Sequence, residues 1–161
     1  MEPLNIKDFE VSDIDTVFAV QQAAFEPLYR KYRDDDTSPY LESRETILRK
    51  YTREGTCGYV FFADEIPVGA VRVILHGNNE AKVSALCVLP EYQRRGIAFT
   101  AMKAIEKLHG DIDTWHLSTI LEEEGNCRLY EKLGYARIGE PICVNERMTL
   151  VFYEKKRDSS R

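Results

Sequence analysis

Apolar and polar residues alternate with period two from Leu4 to Phe9, as expected of a short strand. The rhythm then changes: Ser12 or Asp13 is placed to cap a helix whose apolar face is Ile14, Val17, Phe18 and Phe25. Pro27 and the run from Asp34 to Pro39 break that pattern. A second, more polar helix is predicted from about Leu41 to Arg53, ended by Gly55. Gly58 to Ala63 and Val68 to Leu75 are rich in β-formers and are joined by Asp64 to Pro67. The turn His76-Gly77-Asn78-Asn79 leads into Ala81 to Leu89, and the three stretches read as an antiparallel meander.

Beyond the meander, Ile97, Ala101, Met102, Ile105 and Leu108 recur at helical spacing and Gly110 closes the run. Trp115 to Leu121 is a strand, and a short helix from about Gly125 to Leu133 follows it, with Gly134 as left-handed terminator. Tyr135 to Ile138 and Met148 to Tyr153 supply the last two strands; Lys155 to Arg161 reads as a polar, frayed tail. The helix that begins at Ile97 joins two strands as a β-α-β crossover, which requires a parallel pair within a mostly antiparallel set. The predicted fold is α+β of the three-layer type, a mixed, mostly antiparallel sheet of about seven strands flanked by helices, in a single domain over residues 1–161.

Composition narrows the options. With 161 residues, 43% hydrophobic and 30% charged, the chain is long enough to bury a core without staples. The apolar runs are too short to span a bilayer and the start Met1-Glu2-Pro3 is unlike a signal peptide, so a cytoplasmic, non-membrane protein is expected. The net charge of -5 argues against nucleic acid as the main partner. Cys57, Cys87, Cys127 and Cys143 are too widely spaced for a paired-cysteine zinc site and read as free thiols, and no metal is expected.

Two segments carry candidate chemistry. Gln93-Arg94-Arg95-Gly96-Ile97-Ala98 lies where a strand hands over to a helix, and the first N–H groups of a helix are natural partners for an anion. Gly96 and the small Ala98 let an anion approach the backbone, and Arg94 and Arg95 add charge, although an ordinary surface turn also fits these residues. The second segment, Asn126 to Tyr135, forms a helix that carries Tyr130 beside Leu129 and Leu133. A tyrosine so placed is a core residue unless its hydroxyl faces a cleft, where it becomes a proton donor.

Taken together, the stretch Val88 to Ala98 and the motif Leu129-Tyr130-Glu131-Lys132-Leu133-Gly134-Tyr135 resemble the GNAT N-acetyltransferase superfamily. Its signature is Arg/Gln-x-x-Gly-x-Gly/Ala after a strand, followed by a later Leu-Tyr-Glu-Lys-Leu-Gly-Phe/Tyr helix. The resemblance covers nearly the whole chain. It implies that the fourth and fifth strands part to leave a slot for acetyl-CoA as cosubstrate. Leu86, Cys87 and Val88 would then offer backbone hydrogen bonds to the pantetheine arm. Gln93, Arg94, Arg95, Gly96, Ile97 and Ala98 would hold the pyrophosphate, and Tyr130 would protonate the departing thiolate. A backbone N–H near Val88 would stabilise the oxyanion.

This chain departs from the pattern in two places. Many members carry asparagine seven residues before the motif tyrosine; here Glu123 occupies that position, while Asn126, a candidate pantetheine ligand, lies only four before it. Some members also place a glutamate on the fourth strand, and the stretch Ala81 to Val88 contains none. That leaves His116, Glu26 or ordered water as the general base, with water favoured. By the resemblance, the segment from Phe25 to Asp36 shapes the acceptor pocket, with Glu26, Tyr29 and Tyr32 as substrate-binding candidates and the aspartates read as a solvated loop. The expected activity is acetyl transfer to a small-molecule amine or a peptide or protein amine, with a homodimer left open. The alternatives are a CoA-binding sensor or scaffold without catalysis, and an interaction module whose arginine turn binds nothing.

Overall fold

The computed structural model describes residues 3–157, so Met1, Glu2 and the last four residues of the expected tail lie outside the described residues. Seven strands form one sheet in the order β1-β2-β3-β4-β5-β7-β6. In chain order the elements are β1 (Leu4–Asp8), α1 (Ile14–Tyr32), α2 (Arg44–Thr52), β2 (Thr56–Ala63), β3 (Ile66–His76), β4 (Glu80–Val88), α3 (Ile97–Leu108), β5 (Thr114–Ile120), α4 (Glu124–Lys132), β6 (Ala136–Cys143) and β7 (Thr149–Lys156). All neighbouring pairs are antiparallel except β4 and β5, the pair that the α3 crossover joins. The mixed three-layer architecture expected from the sequence is the one observed.

The two faces of the sheet are covered by different helices. Ile14, Val17, Val20 and Ala24 of α1 and Ile47 and Tyr51 of α2 pack with Val60, Ala70 and Cys87. On the opposite face Ala101, Met102 and Ile105 of α3 are fully buried with Phe61, Val71, Val73, Trp115 and Tyr130. The apolar spacing of both long helices thus does what periodicity dictates, presenting one stripe to the sheet.

Three differences from the sequence reading have plain causes. The first helix does not stop at Pro27 but runs on to Tyr32. A proline removes one N–H from the ladder, and here the buried contacts on either side, from Ala24 to Tyr32, carry the helix past it. The second helix starts later than expected, at Arg44, because the Ser43 hydroxyl accepts the Thr46 N–H and caps it there. The start of the expected tail is structured: Lys155 and Lys156 belong to β7, and Lys155 Nζ donates to Glu106 Oε1 at 2.6 Å.

The element pair that matters most is β4 and β5. They share only three register pairs, Glu80 with Thr114, Ala81 with Trp115 and Lys82 with His116, and then separate. Just past that point β4 carries a bulge. Its pairing with β3 jumps from Ser84 opposite Arg72 to Cys87 opposite Ala70, and Ala85 takes up the slack in the left-handed region at φ 54°. An extra residue on one strand bends that strand away from its neighbours, so the bulge accompanies the parting of the two.

Gly69 sits across from the bulged segment, and a Cβ built there would lie 2.5 Å from the Cys87 carbonyl oxygen and 2.7 Å from Cδ2 of Phe61. Both neighbours are held in the core, so Gly69→Ala should destabilise the fold by about 1–3 kcal/mol. Gly77→Ala, at a position with open space around it, should change it far less. Urea unfolding of the two variants measures the difference as a shift in midpoint at unchanged slope.

Candidate functional site

The parted strands open a cleft of about 690 Å³. One wall is the end of β4, where Leu86, Cys87 and Val88 line the cavity. From Val83 onward the β4 edge that faces β5 has no strand partner, so its backbone groups are free to hydrogen-bond a guest. The opposite wall is α4, which contributes Gly125, Asn126, Leu129 and Tyr130, and α1 closes the top with Ala24, Phe25 and Leu28.

At one end of the cleft lies the turn from Gln93 to Ala98. Arg94 and Gly96 both adopt left-handed backbone conformations, at φ 65° and 82°, and Gly96 is the N-cap of α3. Alternating conformations of this kind point successive N–H groups to one side, and the helix dipole adds positive potential at the same spot. Gln93, Arg94, Gly96, Ile97 and Ala98 all line the cleft, with Arg128 as a further cation. The Gln93 amide donates to the Val88 carbonyl at 2.9 Å and so ties the turn to the end of β4. Arg95 is the member of the expected set that does not line the cleft: its guanidinium lies over the Tyr92 ring, 4.9 Å from the centroid, and donates to the Glu91 carbonyl.

Tyr130 lies where the cleft meets a second cavity. It is 7% exposed and packs against Tyr135 and Tyr153, so it is a core residue. It also lines both cavities, and among the described residues its hydroxyl has no hydrogen-bond partner. Burial pushes its ionisation above the ordinary tyrosine range, with the nearby Cys127 adding to the effect, so the phenol keeps its proton at neutral pH.

The second cavity, about 290 Å³, continues from Tyr130, Asn126 and Leu86 between the separated strands. Phe25 and Leu28 of α1, Leu117 to Ile120 of β5 and Met148 and Leu150 line it, with Asp34, Thr37 and Ser38 from the segment after α1. The expected acceptor residues Glu26, Tyr29 and Tyr32 line neither cavity. Glu26 pairs with Arg30, Tyr29 stacks on Tyr40 and donates to Asp35 at 2.5 Å, and Tyr32 is buried with its hydroxyl on Glu123 at 2.5 Å. On the continuous helix Glu26 and Tyr29 are rotated off the face that Phe25 and Leu28 present to the cavities, whereas Tyr32 shares that face but is buried at the helix end with its hydroxyl on Glu123. Asp34, read from sequence as part of a solvated loop, is buried instead.

Glu123 proves to be a strut. Its carboxylate accepts from the Tyr32 hydroxyl and from Lys31 Nζ at 2.9 Å, lashing the end of α1 to the entry of α4. His116 lies where β4 and β5 still pair, 3.2 Å from the Glu80 carboxylate and 3.8 Å from that of Glu154, and lines a separate groove with His76 and Lys82. Glu80, the first residue of β4, is thus an acid on the fourth strand, one residue before the expected start, but at the closed end of the fork. Sequence reasoning also missed Tyr92, Phe99 and Arg128, which line the cleft; only the contacts of the folded chain bring them there. Among the described residues no group of His, Cys, Asp and Glu is arranged to hold a metal ion, and no helix is long and apolar enough to cross a membrane.

Comparisons identify the family and the fold. The family model described as acetyltransferase (GNAT) family matches residues 25–135, a span that runs from Phe25 through the turn at Gly96 to the end of the Tyr130 motif. Comparison with curated protein sequences finds no match. Among solved structures, the chain superposes on the ribosomal-protein-S18-alanine N-acetyltransferase from Escherichia coli with a TM-score of 0.75 at 16% identity, covering 96% of this chain and 94% of the other. The spermidine N-acetyltransferase from Vibrio cholerae in complex with CoA and spermine gives 0.75 at 18% identity, with 95% of each chain covered. The PaiA N-acetyltransferase from Thermoplasma acidophilum in complex with coenzyme A gives 0.74 at 20%, covering 96% and 99%.

The thiol of Cys87, which lines the cleft, is buried, donates weakly to the Ala70 carbonyl, and is pushed up to about 12 by burial. At pH 8 its thiolate fraction is therefore smaller than that of an ordinary cysteine by about three orders of magnitude. Brief alkylation of the native protein should label the exposed Cys143 first and leave Cys87 unmodified until the protein is denatured, as peptide mass spectrometry will show.

Proposed function

The chain belongs to the GNAT acetyltransferase family, and from that premise we propose that it transfers an acetyl group from acetyl-CoA to a primary amine by direct attack on the thioester. The observation that carries this reading is the coincidence, in one cleft, of an anion-accepting turn, a free strand edge and a buried phenol with an unpartnered hydroxyl. These residues fit the donor. Pyrophosphate oxygens match the N–H groups around Gly96 and the charge of Arg94 and Arg128. A pantetheine arm, with alternating amides and methylenes, matches the open β4 edge at Leu86 to Val88 and the Asn126 side chain. Arg95 would contribute through the shape of the turn, by its packing on Tyr92.

Bound acetyl-CoA supplies the acyl group and a thiolate leaving group. The protein's part is orientation and proton management. The β4 edge near Val88 offers an N–H donor to the negative charge that develops on the carbonyl oxygen. The Tyr130 phenol, kept protonated by burial, gives its proton to the leaving sulfur. The amine must arrive neutral. Glu26 and His116 face other partners, so the proton leaves through water in the cleft. The same geometry would also serve a CoA-binding sensor, and turnover separates the two.

Because the Tyr130 hydroxyl has no protein partner, Tyr130→Phe should leave stability and CoA affinity nearly unchanged while lowering kcat by about 10²-fold or more. Thiol release measured under saturating acetyl-CoA tests this, and unchanged turnover removes Tyr130 as the acid. The phenol's raised ionisation also means that activity should climb with pH as the amine loses its proton, with no descending limb from Tyr130 below about pH 10. For the donor site, Gly96→Glu places a bulky acid at a left-handed position in the anion turn, and calorimetric titration with acetyl-CoA should show binding reduced by about 100-fold or more.

A further inference from the structure

Resting on the reading above, we infer that the acceptor is a small molecule with two basic groups joined by a short apolar spacer, and that Asp34 holds the group that does not react. Asp34 is the acid of the second cavity and is 7% exposed. Its Oδ2 accepts the Thr37 hydroxyl at 2.8 Å, and it forms no ion pair among the described residues. Its neighbours are served differently: Glu26 is matched to Arg30, Glu42 to Lys50 and Glu123 to Lys31. The adjacent Arg33 is engaged on the Tyr29 ring, 5.3 Å from its centroid. A buried carboxylate without a cation is costly, and a cation delivered by a ligand removes that cost.

Position decides which nitrogen that cation is. Tyr130, Asn126 and Leu86 line both cavities and mark the junction where the thioester and the attacking amine meet. Asp34 lines the acceptor cavity alone. The charge it attracts is therefore a second group, away from the reacting nitrogen, which must be neutral to attack. Leu117 and Leu150 of the second cavity, with Leu28 at its junction to the cleft, offer apolar wall to a methylene chain. The cavity, at about 290 Å³, is at the small end of ligand pockets and suits a short chain better than a peptide or a long polycation. In the reaction the near amine forms the new C–N bond, the C–S bond breaks, the sulfur takes a proton from Tyr130, and the proton lost by nitrogen passes through water and restores the Tyr130 phenol. The far ammonium stays on Asp34 unchanged.

The test compares pentylamine with cadaverine, its counterpart bearing a second amine, under saturating acetyl-CoA, with spermidine and an alanine-initiated peptide alongside. Cadaverine should exceed pentylamine in kcat/KM by about 10- to 100-fold. Asp34→Asn, which keeps an oxygen for Thr37, should bring the ratio of cadaverine to pentylamine down to about one, and Asp34→Glu should restore part of the preference. Equal use of the two amines, preference for the peptide or spermidine, or an equal loss of both amines in the Asn variant would overturn the assignment. If no amine is turned over, calorimetry decides: cadaverine binding by the native protein but not by Asp34→Asn supports it, and binding by neither or by both overturns it. Failure to bind acetyl-CoA counts instead against the proposed function, and the calorimetric comparison, run without CoA, still judges Asp34.

Discussion

Everything distinctive about this molecule depends on one interrupted ladder. The strands β4 and β5 pair for three residues and then part, although a parallel pair gains hydrogen bonds for every residue it adds. The chain forgoes those bonds because β4 has one residue too many opposite Val71, with Ala85 in the left-handed region. Once the strands diverge, each must satisfy its facing backbone groups in another way. A bound molecule that resembles a peptide chain is a natural partner for such an edge.

The helices around the fork are placed by ordinary burial, but their ends are placed by chemistry. The first turn of α3 begins at the mouth because Gly96 accepts a backbone geometry that a side chain would resist. The α4 helix carries Tyr130 into the core, and the same burial that makes it a packing residue fixes its protonation. A core position thus still leaves a side chain's polar end exposed to a cavity where that end reaches open space.

Much of this was legible in the sequence. Period-two and period-3.6 patterns located all seven strands and four helices, and the turn at Gln93 to Ala98 and the helix of Tyr130 were identified from residue type and order. The lining of the second cavity was not legible, for a physical reason. Where the residues after Pro27 point depends on whether the helix continues past it, a tertiary outcome that involves contacts as distant in sequence as Tyr32 with Glu123. In the folded chain Phe25 and Leu28 line the cavities, Glu26, Tyr29 and Tyr32 do not, and Asp34 is buried. Likewise Glu123 looks like a departure from a motif until its partners are seen, when it becomes a structural acid with two donors.

That lash between α1 and the start of α4 has a mechanical meaning. A sheet whose halves share only three backbone pairs at the closed end of a fork would flex there like a hinge. Lys31 and Tyr32 bridge the open side through Glu123, and Asn145 in the connection between β6 and β7 adds a bond to the Tyr32 carbonyl at 2.9 Å. The fork is therefore braced at both ends, as a truss is, and its gap is set when the chain folds. Walls tied at both ends give a slot a definite width and length.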